Sequence, residues 1–144
     1  MSLEEKVQSC SKKTPNFSLE GQMKLCKVVD VYDGDTCKVV FDMNGEVYRW
    51  NVRMEGYDTP EIRPRKTVPN RDEVKKAAKE SRDFLKSLVC NDPEQLVYIL
   101  CGGFDKYGRL LGKIFVNHDD EFSVNKMMVE RGYGYEYHGG TKKK

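Results

Sequence analysis

Residues 36–53 read TCKVVFDMNGEVYRWNVR, two runs of alternating apolar and polar residues that meet at Asn44-Gly45. Asn-Gly readily takes the left-handed backbone that a two-residue hairpin turn demands at both central positions, so this stretch predicts a β-hairpin. With Asn44 and Gly45 in the turn the register follows. Phe41 faces Tyr48, Val39 faces Trp50 and Cys37 faces Val52, which makes one side of the hairpin wholly apolar. The other side pairs Lys38 with Asn51 and Thr36 with Arg53, so Arg53 is expected off the main core face.

Working outward, Lys24 to Tyr32 carries Leu25, Val29 and Val31 among polar neighbours and reads as a preceding strand. Two further strands are expected at Gln95 to Cys101 and Leu110 to Val116, five in all. Between them, Val74, Ala77, Ala78, Ser81, Phe84, Leu85 and Leu88 recur at three- and four-residue steps, which predicts a helix from about Asp72 to Val89 with one buried stripe. A second helix should start at Ser123 as cap, bury Val124, Met127 and Met128, and stop at Gly132. Three strands, a helix, two strands and a helix suit an α+β, mainly β, class: a five-stranded Greek-key barrel of the OB-fold type with two or three capping helices. The expected organisation is a flexible N-terminal arm over 1–22, one domain over 23–138 and a basic tail over 139–144.

Composition sets the bounds. The 144 residues suit one domain, and 25 Lys and Arg against 23 Asp and Glu leave a net charge of only +2, so any affinity for nucleic acid must come from charge distribution. Five cysteines without a C-x-x-C pair read as reduced thiols, Cys26 and Cys37 in the core. His118 and His138 are twenty residues apart and are expected at the surface or in turns. No segment has the length or hydropathy of a membrane span or a secretory signal, which predicts a soluble, intracellular, monomeric protein unless the chain is a processed form.

Three short segments carry chemistry. Asp33-Gly34-Asp35-Thr36 joins the first two strands and, taken alone, is a turn. Asp58-Thr59-Pro60-Glu61 follows the third strand, with Pro60 stiffening the exit. Because the hairpin register sets the start of its first strand beside the end of its second, Asp35, Arg53 and Asp58 become neighbours. Two carboxylates, a main-chain carbonyl and water make an oxygen-rich site for a hard divalent ion, calcium more readily than magnesium. Asp105-Lys106-Tyr107-Gly108-Arg109 joins the last two strands, and Arg109 with Arg53 offers a two-sided guanidinium clamp for phosphate.

Together with Ala78-Lys79-Glu80-Ser81-Arg82-Asp83-Phe84-Leu85, these segments resemble the signature segments of the staphylococcal nuclease (thermonuclease) family, over roughly Lys24 to Gly132. The resemblance implies an OB-fold enzyme that hydrolyses DNA and RNA to products ending in 3′-phosphate. It implies calcium held by Asp35, Asp58 and the main-chain carbonyl of Thr59, Glu61 as general base or water-positioner, Arg53 and Arg109 on the phosphate, and Lys106 and Tyr107 near a terminal phosphate. The alternative is a non-catalytic OB-fold module that binds nucleic acid or protein. The run from Ile62 to Asn70 is longer than in the family's best-known form and carries Arg63, Arg65 and Lys66. Tyr133, Tyr135 and Tyr137 alternate near the end, as base-stacking groups or as a short strand packing one face.

Overall fold

A computed structural model describes residues 1–137. Helix α1 (Leu3–Gln8) is followed by strands β1 (Met23–Asp33), β2 (Thr36–Met43), β3 (Glu46–Met54) and the two-residue β4 (Tyr57–Asp58). Helix α2 (Arg71–Val89), strands β5 (Val97–Phe104) and β6 (Leu110–Phe115), helix α3 (Val124–Glu130) and the two-residue β7 (Tyr135–Glu136) complete the order. The expected tail over 139–144 and His138 lie outside the described residues.

Strands β1, β2, β3, β6 and β5 close into a barrel in that order, with β3 and β6 parallel and every other neighbouring pair antiparallel. This is the OB-fold arrangement, in which closure leaves no open sheet edge. The β2–β3 register is the one expected from Asn44-Gly45: Phe41 opposite Tyr48, Val39 opposite Trp50, Cys37 opposite Val52 and Thr36 opposite Arg53. Asn44 and Gly45 both take positive φ, 53° and 93°, as the tight turn requires. Cys37, Val39, Phe41 and Val52 are buried and Trp50 stacks on Phe41 with 4.7 Å between ring centroids, while Tyr48 is 54% exposed. The apolar side of the hairpin therefore runs past the barrel, and its tip projects into solvent.

The face of β1 differs from expectation. Leu25 and Val29 are exposed, whereas Val31 and Cys26 are buried as expected, together with Val28. Val28 pairs with Val39 while Asp30 pairs with Lys38, so Val29 is the extra residue of a bulge, and the inward alternation shifts there by one position. A period-two reading of the sequence assumes an unbroken pleat and assigns such residues to the wrong face.

Helix α2 buries Ala78, Ser81, Leu85 and Val89, while Val74, Ala77, Phe84 and Leu88 are half-buried at the margin of the stripe. Helix α3 begins at the Ser123 cap, whose hydroxyl accepts from the Lys126 amide, and buries Val124, Asn125 and Met128, with Met127 only half-buried. Asn125 was not singled out from sequence. Its amide donates to the Glu55 and Gly112 carbonyls (2.8 and 3.0 Å) and accepts from the Ile114 amide (3.0 Å), so it fastens α3 to β6 and to the exit of β3. In the N-terminal segment α1 buries none of its residues, but Leu19 is fully buried and the Gly21 amide donates to Cys101. All five cysteines are free, and burial, followed by the charge of neighbouring Cys101, pushes the Cys26 thiol up to about 12.

Candidate active site

The turn between β1 and β2 and the exit of β3 are bound together at the barrel mouth. Asp33 Oδ1 accepts from the Asp35 amide (3.0 Å), an Asx-type turn that Gly34 passes through. A methyl group on Gly34 would lie 2.7 Å from Thr59 Cγ2 and 2.8 Å from Ser81 Cβ, so glycine is required there by close packing against α2 and the Asp58-Thr59 segment. The Tyr57 hydroxyl donates to the Gly34 carbonyl (2.6 Å), the Thr59 amide donates to Asp35 Oδ2 (3.0 Å), and the Met54 amide donates to the Asp35 carbonyl (2.8 Å). These bonds turn Asp35 toward Arg53, a facing that the strand register alone left open.

Arg53 is the electrostatic centre. Its Nη1 donates to the main-chain oxygens of Met54 (2.9 Å) and Tyr57 (2.8 Å) and lies 3.5 Å from Asp35 Oδ2, and its Nη2 bonds Asp58 Oδ1. The side chains of Asp35 and Asp58 are 5% and 4% exposed and that of Arg53 12%, so two nearly dry carboxylates converge on one nearly dry guanidinium. Such carboxylates stay ionised in the interior only with a cation beside them. The Tyr137 ring lies over this guanidinium, 5.7 Å from centroid to Cζ, carried there by β7 pairing with β4.

In the same cleft, Asp105 organises the β5–β6 turn. Its Oδ1 accepts from the amides of Tyr107 and Arg109 and its Oδ2 from Arg109 Nε (2.8 Å). Burial works against the charged form of Asp105, but the Arg109 and Tyr107 bonds outweigh it and hold the carboxyl below its ordinary range. Asp105 thus stays charged and keeps the Arg109 guanidinium aimed. The Tyr107 ring, 71% exposed, lies beside both Lys106 and Arg109.

One cleft of about 850 Å³ is lined by Asp35, Arg53, Asp58, Glu61, Lys106, Tyr107 and Arg109, so seven of the eight sequence-predicted residues share a single opening. The eighth, Thr59, is fully buried, and its hydroxyl has no hydrogen-bond partner among the described residues. Glu61 is exposed on the wall of the cleft. The other signals divide. Tyr133 stacks on Phe84 (4.3 Å), and Tyr135 begins the two-residue β7, so these tyrosines pack and pair. Arg71 Nε donates to the Pro64 carbonyl and closes the loop before α2.

Sequence reasoning treated Asp33 only as a turn residue, yet it is 8% exposed and lines the cleft. Burial, then the neighbouring Asp35 charge and its hydrogen bond, raise the Asp33 carboxyl to about 7. The sign follows from proton binding. Between pH 4 and about 7 the folded chain holds a proton at Asp33 that the unfolded chain has lost, so this group's contribution is complete at low pH and is lost as pH rises through that window. Asp33→Asn keeps the acceptor for the Asp35 amide and has no proton to lose. Urea melts in metal-free buffer should show the variant gaining on the parent from about pH 4 to 7 and levelling above. A constant difference across that range would show that Asp33 ionises normally.

The charged side chains that line the cleft are carboxylates, the guanidinium groups of Arg53 and Arg109 and the Lys106 ammonium, and no histidine or cysteine lines it. Among the described residues no three His, Cys, Asp or Glu side chains gather at one point, so a cation here would draw on two carboxylates, main-chain oxygen and water. That donor set suits a hard ion. No helix of the described residues is long and apolar enough to cross a membrane.

A family model described as staphylococcal nuclease homologue matches residues 51–144, a region that holds all the predicted site residues except Asp35. An uncharacterized protein of Methanocaldococcus jannaschii is 31% identical over 124 residues, covering 77% of this chain. The match takes in 58% of that protein, so the chain spans little more than half its length.

Proposed function

The chain belongs to the staphylococcal nuclease homologue family, and from that premise we propose that its cleft hydrolyses phosphodiester bonds of DNA and RNA with a bound calcium ion. One observation carries the reading: two buried carboxylates and Arg53 share a single cleft with Arg109 and Glu61. Asp35, Asp58 and the Thr59 carbonyl would hold the ion, which supplies positive charge to the phosphoryl oxygens. With the carboxylates so compensated, Arg53 remains anchored by the Met54 and Tyr57 carbonyls and presents its charge to the phosphate. Arg109, aimed by Asp105, meets the phosphate from the opposite side. Preorganised donors of this kind stabilise charge that grows in the transition state without having to reorganise.

Glu61 accepts the proton of the attacking water, its place on the solvent-facing wall giving it access to that water. Attack at phosphorus with departure of the 5′-oxygen, which leaves with a proton, yields one product ending in 3′-phosphate and one with a free 5′-hydroxyl. Lys106 and Tyr107, at the rim, serve a terminal phosphate. Cleavage of single-stranded DNA and RNA with calcium and with chelator tests the reading, alongside a melt with calcium plus a nucleoside bisphosphate. Calcium-dependent cleavage and a raised melting temperature are expected. Binding without cleavage would leave a non-catalytic module, and cleavage undiminished by chelator would remove the ion from the mechanism.

A further inference from the structure

The bonds that hold Arg53 are unevenly shared between its two terminal nitrogens. Nη1 donates to the Met54 and Tyr57 carbonyls and is the nitrogen near Asp35, whereas Nη2 bonds only Asp58. When Asp58 serves a bound ion, the hold that remains is on Nη1. A planar group held through one nitrogen can still tilt and swing about it, yet paired bonds to a phosphate need the fork in one orientation. Support against the body of the guanidinium is what removes that freedom.

The segment after α3 supplies such support. Strand β4 lies outside the barrel and pairs with β7, Tyr57 opposite Glu136 and Asp58 opposite Tyr135. The strap over 133–137 is fastened along its length. Ser81 Oγ donates to the Tyr133 carbonyl (2.7 Å), the Gly134 amide to the Met128 carbonyl (3.0 Å) and the Tyr137 amide to the Gly56 carbonyl (3.0 Å). Gly134 lets the strap lie close, since a methyl group there would meet Tyr57 Cδ2 at 2.7 Å and the Asp58 carbonyl oxygen at 3.3 Å. This pairing delivers the half-buried Tyr137 ring to the cleft, where Arg53 Cζ lies over its face, 5.7 Å from the centroid. An aromatic face attracts the cation and keeps water from that side, whatever charge the carboxylates carry.

We propose that Tyr137 is a positioning residue of the cleft: its ring, delivered by β7, holds the Arg53 guanidinium in the orientation in which it meets the phosphate. The inference rests on the nuclease reading of the cleft and adds to it a residue that acts through Arg53.

A double-mutant cycle on calcium-dependent cleavage tests it, with rates taken per folded protein as measured by urea denaturation in the same buffer. Tyr137→Leu should lower kcat about tenfold with KM held, and Tyr137→Phe, which keeps the ring, should recover most of that loss. On an Arg53→Gln background, Tyr137→Leu should cost less than about twofold, because the group it acts through is gone. Parental kcat in Tyr137→Leu, or a loss undiminished on the Arg53→Gln background, would overturn the proposal and leave the nuclease reading in place. A loss confined to KM, as removal of a base-stacking ring would give, would do the same. So would a Tyr137→Phe variant as slow as Tyr137→Leu, which would assign the effect to the hydroxyl. A parent that cuts nothing removes the nuclease reading, and the proposal with it.

Discussion

Arg53→Gln is expected to cost about 3–5 kcal/mol of stability in metal-free buffer, because it leaves the buried Asp35 and Asp58 carboxylates without their shared cation. Glutamine can keep at most part of the hydrogen bonding to the Met54 and Tyr57 carbonyls, and it carries no charge. The same change should lower kcat by about 10²–10³, the usual loss when one preorganised donor to a developing oxyanion is removed. Urea denaturation with and without calcium separates the two effects. Calcium should restore much of the lost stability, since a bound ion compensates the same carboxylates, and should restore little of the rate. A variant as stable as the parent without metal would mean that water reaches these carboxylates and that the arginine is not their counter-charge. Equal stability loss with and without calcium would argue that no ion binds between them.

Glu61→Gln should lower kcat by about 10²–10⁴ while leaving stability nearly unchanged, because Glu61 stands exposed on the cleft wall and glutamine matches its shape but cannot take a proton. The loss should appear in kcat with KM held, since a base acts in the transition state and contributes little to ground-state binding. A variant with parental kcat, or one that loses only affinity, would show that Glu61 binds substrate or lies off the chemical step, and another group would have to take the proton. The contrast with Arg53 is instructive. Both residues line one cleft, yet one is expected to matter to folding and rate together and the other to rate alone, because one is buried among charges and the other faces solvent.

The hairpin was the most legible part of the molecule. Asn44-Gly45 sets a turn whose backbone few other dipeptides accept, and alternation on either side then admits one register, so the pairs from Cys37–Val52 to Phe41–Tyr48 followed without reference to the rest of the chain. From that register the meeting of Thr36 with Arg53, and hence of the two acidic segments with the arginine, was also accessible. Helices α2 and α3 were legible for a similar local reason: three- and four-residue apolar spacing and a serine cap belong to the segment that carries them.

Three features lay beyond local pattern. The bulge at Val29, in the pairing of β1 with β2, shifts by one position which residues of β1 face inward. The placement of Arg109 in the same cleft as Arg53 depends on β6 lying beside β3 in parallel, a pairing between segments some sixty residues apart for which no turn residue gives a signal. The raised carboxyl of Asp33 comes first from its burial in the fold, which its tetrapeptide does not encode, and then from Asp35 two residues on. Side-chain identity and two-residue turns act over a few bonds, so the hairpin register and the helix faces could be read from the chain alone. Closure of the barrel acts across the whole domain, and it alone determines which of the site residues are dry, which come together and which carry a proton near neutrality.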